Sequence, residues 1–371
     1  MKFKFTSEMT DVELIQMYKI LRRDYPILWS EDHECWVISR YNDVVNGLSD
    51  YSIFTYKNID AVVGRDLLSL TNKTDTSSFS IDLPPDYQRK RKALMNIYQD
   101  AISNGIEEKI YINITNLFNL QKNKGEFDLI KNVTNIIPIY TICEIIGYDY
   151  SNSKDMFQII SKLWEKNDVN TRISLCRDAY NFIISNKPEM LKKTIYNKED
   201  IISFIIGVFL GGSNSLTGTM PSIAYYSNIY KKEFEKTFKN EKNKNNFIQE
   251  SLRHALIQSH LIRTADKDIQ LYNKQILKGQ RVAFLIGSAN FDEQKFGPDA
   301  DTFCINRNFN KINLVFGHGM YRCIGASLAN IQLKCFLDFI INNNIKVKNF
   351  SLKKERNFTG TLIENLIVEF S

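Results

Sequence analysis

Proline and glycine are sparse in this chain, at 7 and 16 of 371 residues. That scarcity excludes collagen-like and Pro/Gly-rich disordered architectures. The six cysteines (Cys35, Cys143, Cys176, Cys304, Cys323, Cys335) form no CxxC pair, and the four histidines (His33, His254, His260, His318) sit in no HExxH. A disulfide framework, a zinc ribbon and a zinc protease are therefore not expected. No GxGxxG fingerprint occurs, so no dinucleotide site is expected. The longest greasy run, 201–212, is interrupted by Ser203 and Gly207 and is too short to span a bilayer. The first residues lack the apolar core of a secretion signal. These features predict a soluble, cytoplasmic chain with no membrane anchor. Charge of one sign is also lacking: 48 basic and 42 acidic side chains leave +6, diluted over the whole length. That falls short of a nucleic-acid footprint, and Arg89-Lys-Arg-Lys92 is too short and free of aromatics to make one.

What is present is ordinary globular composition, 43% apolar and 24% charged. Apolar residues at three- and four-residue spacing predict helices over 7–23, 128–147, 155–167, 173–185 and 200–230. Asp200 stands where an N-cap would, and Pro138 predicts a kink or break within 128–147. Strand-like alternation is confined to short pieces such as 35–39, 268–271 and 282–286. The polar run 239–246 reads as an exposed connection. With no repeat and no linker, residues 1–371 are expected to form a single domain, mainly α with minor β.

One stretch carries chemistry: Phe316-Gly-His-Gly-Met-Tyr-Arg-Cys323-Ile-Gly325, followed by an amphipathic run from Ala326. Two glycines before a cysteine and a third after it make a tight loop whose backbone can approach something large and flat. Loop amides and the positive end of the following helix should lower the thiol pKa. A thiolate so placed is a nucleophile or a metal ligand. A buried structural cysteine is the ordinary alternative, and the glycine spacing argues against it.

This stretch resembles the cytochrome P-450 family, whose pattern Phe-Gly-x-Gly-x-(His/Arg)-x-Cys-x-Gly is met by Phe316, Gly317, Gly319, Cys323 and Gly325, with Leu328-Ala329 in the next helix. The resemblance implies a triangular, mostly helical haem-thiolate fold, haem b (iron protoporphyrin IX) as cofactor, and Cys323 as its proximal thiolate. Tyr321 departs from the family, which has His or Arg there to meet a haem propionate. Glu250-Ser-Leu-Arg253 resembles the family's Glu-x-x-Arg, and Arg307 looks like the residue that completes the Glu-Arg-Arg network. Arg263 resembles a propionate partner. Leu83-Pro-Pro-Asp-Tyr87-Gln-Arg-Lys-Arg91 resembles Asp-Pro-Pro-x-His-x-x-x-Arg, with Arg91 kept and Tyr87 in place of the histidine. A phenol still donates a hydrogen bond but adds no charge.

Gly211-Gly212-Ser213-Asn214-Ser215 resembles the family's oxygen-activating (Ala/Gly)-Gly-x-(Asp/Glu)-Thr. Ser215 then stands for the alcohol and Asn214 for an acid it cannot replace, since an amide does not titrate. A one-residue shift would use Ser213 and Asn214 instead, but fits the glycines less well. Substrate-pocket positions implied by resemblance are Val62, Val63, Leu67, Leu68, Phe209, Gly212, His260, Leu261 and Thr361; for His260, a structural or surface role is the stronger reading. The implied activity is insertion of one oxygen atom from O2 into a small organic substrate, in the tailoring of a secondary metabolite. Electrons would come from a separate ferredoxin or flavodoxin. The Asn214 and Tyr321 departures keep two alternatives open: a haem-thiolate enzyme of atypical chemistry (a peroxygenase, or substrate-assisted proton delivery), and a non-catalytic haem-binding or partner-recruiting relative.

Overall fold

The computed structural model describes residues 9–56, 84–152, 155, 158–159, 162, 169–186, 188–192, 198–309, 312–352 and 363–370. The chain opens with α1 (Asp11–Asp24), fixed by a reciprocal cap. The Thr10 hydroxyl accepts from the Glu13 N–H while the Glu13 carboxylate accepts from Thr10. Strands β1 (Ile27–Ser30) and β2 (Cys35–Ile38) form a hairpin, followed by α2 (Tyr41–Ser49) and the short β3 (Phe54–Thr55). Next come α3 (Asp86–Ser103), α4 (Ile106–Asn119) and β4 (Glu126–Asp128).

The predicted helix over 128–147 is divided. Asp128 ends a strand, a wide helical turn covers 130–134, and α5 (Ile137–Ile146) carries Pro138 in its first turn. There the ring breaks no hydrogen bond, because the first N–H groups of a helix have no internal partner. Gly147 closes α5 at φ +67°, a conformation glycine adopts without strain. Helix α6 (Val169–Asn186) takes in the predicted 173–185. Of 155–167, only Asp155, Gln158, Ile159 and Lys162 are described, all helical.

Helix α7 (Lys198–Ile229) is the longest described, 32 residues with Pro221 inside it. It begins before Asp200, which therefore lies in its first turn instead of capping it. The run 239–246 is not a connection. Asn240 caps α8 (Glu241–Ala255) by accepting from the Asn243 N–H, and the polar residues form that helix's exposed first turns. The reading failed because Phe247 and Ile248 are the first buried residues of α8.

Strands β5 (Leu261–Ala265), β6 (Ile269–Leu271), β7 (Lys274–Ile276) and β8 (Arg281–Phe284) follow, then α9 (Ala326–Asn342), β9 (Ile345–Leu352) and β10 (Ile363–Phe370). The larger sheet runs β1-β2-β8-β5-β3, with only β2 and β8 parallel; β4-β10-β9 and the β6-β7 hairpin are separate. A helical core surrounds α7, with α4, α5 and α9 among its walls. Helix against helix with minor sheets is the mainly α architecture expected. No helix among the described residues is long and apolar enough to cross a membrane.

Candidate functional site

The cysteine loop runs directly into α9, which packs in the large core. Gly317 and Gly319 both adopt φ +72°. A Cβ on Gly319 would lie 2.4 Å from the Leu48 carbonyl oxygen, so the loop presses on the end of α2 and tolerates glycine alone. The Gly317 N–H donates to the Leu314 carbonyl (2.8 Å) and the Cys323 N–H to the Phe316 carbonyl (2.7 Å), which folds the loop back on itself. Gly325 caps α9. Cys323 thus sits just before a helix N-terminus, its residue reached by solvent while protein crowds its sulfur.

Burial is the largest influence on the thiol and pushes its pKa up. The Gly325 N–H, the Arg322 and Arg91 cations and the Ala326 N–H oppose it. The expected amides are there, but with protein alone around the sulfur the net shift is upward, contrary to the expectation from sequence. Desolvation of a thiolate outweighs two amides until a cation meets the sulfur. Tyr98, on α3, is a neighbour that sequence reasoning missed: burial first, then the Cys323 thiol, push its phenol up.

Beside the loop lies an arginine–tyrosine cluster. Tyr87, Arg91 and Tyr98 follow one another at four- and seven-residue spacing on α3, one face of a helix. Arg91 Nη1 donates to the Tyr87 hydroxyl (2.9 Å), which donates to the Met320 carbonyl (3.1 Å). The Tyr87 and Tyr321 rings are 4.4 Å apart. From β5, Arg263 enters the same cluster almost fully buried. Its Nη1 donates to the Ile262 carbonyl (2.8 Å), while its Nε has no hydrogen-bond partner. Burial pushes the Arg263 pKa down, and the groups opposing that are Tyr56, Tyr321 and Tyr87. Among the described residues no carboxylate pairs with it. The cluster is short of one anion.

Glu250 and Arg253, buried on α8, hold the polypeptide that leads to the loop. Arg253 Nε and Nη2 grip the Glu250 carboxylate at 2.7 and 2.8 Å, and the same guanidinium donates to the Asn290, Ala300 and Thr302 carbonyls. Arg307 Nε lies 3.5 Å from Glu250 Oε1, an ion pair without hydrogen-bond geometry, while its Nη1 donates to the Phe296 carbonyl (2.6 Å). Burial alone would raise the Glu250 carboxyl, but the Arg253 and His254 contacts hold it at about 2. Neither His254 nor the Cys304 N–H, which donates to Glu250 (2.8 Å), was signalled by sequence.

On α7 the neighbours Ile206, Val208 and Phe209 are buried, whereas Gly207, Gly211 and Ser215 form an exposed stripe at four-residue spacing. A Cβ on Gly207 or Gly211 would meet nothing within 4 Å. Gly212 faces the other way, where a Cβ would approach Ile142 of α5 at 3.2 Å. Ser215 donates to the Gly211 carbonyl (2.5 Å), while Ser213 is buried and donates to the Phe209 carbonyl. Phe209 is wholly buried in the large core. Leu261 Cδ1 lies 3.4 Å from where a Cβ of Gly317 would stand. His260 is half-buried, with Nδ1 3.1 Å from the Ser259 hydroxyl. The side chain of Asn214, and Val62, Val63, Leu67, Leu68 and Thr361 entirely, lie outside the described residues. An open cleft of about 480 Å³ beside β1 and β2, lined by Tyr25, Trp29, Trp36 and Tyr272 among others, includes none of the site residues.

Comparison with known proteins gives a family-model match, Cytochrome P450, over residues 242–362. A protein described as "Cytochrome P450" from Bacillus subtilis is 25% identical, covering 96% of this chain and 94% of its own length. Linalool 8-monooxygenase of Pseudomonas putida is 24% identical, covering 93% and 92%. In fold, the chain is similar to a solved structure from work on unusual cytochrome P450-like monooxygenases involved in microbial secondary metabolism, with TM-score 0.79, 16% identity and coverage of 95% and 97%.

Proposed function

We propose that the chain is a haem-b monooxygenase of the cytochrome P450 family, a reading supported by the family match over residues 242–362 and by relatives alike over nearly their whole length, and that the residues of the cysteine loop and the arginine–tyrosine cluster serve that activity. The residues suit haem on an observation independent of family: Arg263 is a buried cation with an unpartnered Nε and, among the described residues, no carboxylate, in one cluster with Arg91 and the Cys323 loop. A dianionic propionate edge supplies what that cluster lacks, and a cation at the sulfur reverses the upward push on the Cys323 thiol. That juxtaposition carries the reading. Cys323 would hold the iron, with Arg263 and Arg91 paired to the propionates and Tyr87 and Tyr321 beside them.

Bound haem supplies the redox iron at which dioxygen is activated for transfer of one oxygen atom to substrate. The chain's own contribution is shape, charge and protons. The Gly325 and Ala326 amides stabilise negative charge on Cys323. Gly211 leaves room beside α7, and Ser215, on the same open stripe, gives its proton to the Gly211 carbonyl and keeps its lone pairs for a water or substrate hydroxyl. Ser213 makes the same kind of bond, to the Phe209 carbonyl, but is buried, so it is the weaker candidate for that role. Position 214 holds an amide that cannot ionise, so the proton path runs through Ser215, water or the substrate.

Bacterial relatives of this kind take electrons from a separate redox partner; a ferredoxin or flavodoxin is our proposal here. The substrate we propose is a small natural-product intermediate, by analogy with the relatives' described roles. The test is reconstitution with haem, reduction and exposure to carbon monoxide. A thiolate-type band that Cys323→Ala abolishes supports the reading, and one that survives unchanged overturns it. Turnover with peroxide but not with reductant and dioxygen would favour the atypical chemistry that Asn214 suggests.

A further inference from the structure

Arg263 needs something to aim it, and the structure supplies it from the edge of the sheet. Strands β3 and β5 are antiparallel, with Phe54 opposite Ala265 and Thr55 opposite Thr264. The next position on that register sets Tyr56 against Arg263, within the reach of a cross-strand pair. The Arg263 Cζ lies 3.9 Å from the Tyr56 ring centroid, far closer than the 5.6 Å to Tyr321. Tyr56 is itself braced, edge-on at 83°, by the Tyr321 ring 4.8 Å away, two residues before Cys323. The backbone contact of the guanidinium, to Ile262, is on its own strand and is made by Nη1. The guanidinium thus lies over the Tyr56 ring and also meets its hydroxyl, while its Nε keeps no hydrogen-bond partner.

We infer that Tyr56 is a positioning residue, holding Arg263 in the plane that presents its free N–H to a haem propionate. The inference rests on the reading of this cluster as the propionate site. Removing the ring lets Arg263 turn away and leaves the propionate less compensated. Uncompensated negative charge favours the ferric state, so the midpoint potential falls, and haem leaves more easily. The ring carries the cation–π contact, and Tyr56→Phe separates it from the polar contact that the hydroxyl makes with the guanidinium.

In haem-loaded protein, Tyr56→Leu is expected to speed haem transfer to apomyoglobin by three- to tenfold, about what one partly desolvated cation–π contact is worth. It is also expected to lower the midpoint potential, with Tyr56→Phe restoring both. A general loss of packing would lower thermal stability without moving the potential. If Tyr56→Leu does not fold, Tyr56→Met is read in the same way. Wild-type potential and haem retention in the aliphatic variant would overturn the inference, as would Tyr56→Phe behaving like Tyr56→Leu. A wild-type protein that takes up haem without a thiolate spectrum would instead sink the underlying reading.

Discussion

At the scale of single residues, charge separates the roles proposed around the propionates. Arg91 brings a cation, whereas Tyr321 brings a neutral phenol. Charge-assisted hydrogen bonds contribute about 1.5–3 kcal/mol, roughly twice neutral ones. Arg91→Ala is therefore expected to lose haem faster than Tyr321→Phe in a haem-transfer assay; equal rates would count against the assignment. Ser215→Ala removes the hydroxyl on the open stripe of α7. Loss of a general-acid group costs on the order of 10²-fold in that step, so less product per reductant and more released peroxide are expected. Unchanged coupling would point to the substrate's own polar groups. Cys323, Arg91, Arg263 and Glu250 could be singled out as candidates in sequence because each lies in a short local pattern. Tyr56 could not be, because it meets Arg263 only through the register of two strands more than 200 residues apart.

At the scale of elements, close approach decides what a position accepts. Gly319 combines positive φ with a carbonyl 2.4 Å from any added Cβ. Gly319→Ala faces about 1–2 kcal/mol of backbone strain before the clash is counted. A lower unfolding midpoint and weaker haem retention, measured by thermal melts and haem transfer, are expected together. The glycines were readable, but their neighbour, the carbonyl at the end of α2, was not. The break at Pro138 was legible because proline acts through its own ring. The start of α8 was missed because its exposed first turns carry no apolar period, and their cap is one asparagine among many in that run.

At the scale of the whole molecule, the buried charges of α8 set how the fold answers acid. Glu250 is held at about 2, below its ordinary 4.5, so its contribution is complete above the ordinary value and is lost as pH falls through 2. His254 is lowered below 6.5, chiefly by burial, so the unfolded chain takes its proton first and stability already falls below pH 6.5. Urea unfolding across pH 7 to 3 is expected to show both declines. His254→Phe should flatten the upper one and Glu250→Gln the lower; parallel curves for all three proteins would refute the assignment. The overall architecture was legible because helical periodicity and the cysteine loop dominate the sequence. What ties it together was not, since Arg253 reaches carbonyls 37 to 49 residues away. Those bonds tie α8 to the chain at Asn290, Ala300 and Thr302, so these parts are expected to open together. Leu314 joins them through its N–H to the Asn290 side chain (2.8 Å). Amide hydrogens at Cys304 and Leu314, outside any helix or strand, should then exchange with deuterium as slowly as those of α8 itself, in a single sub-global opening.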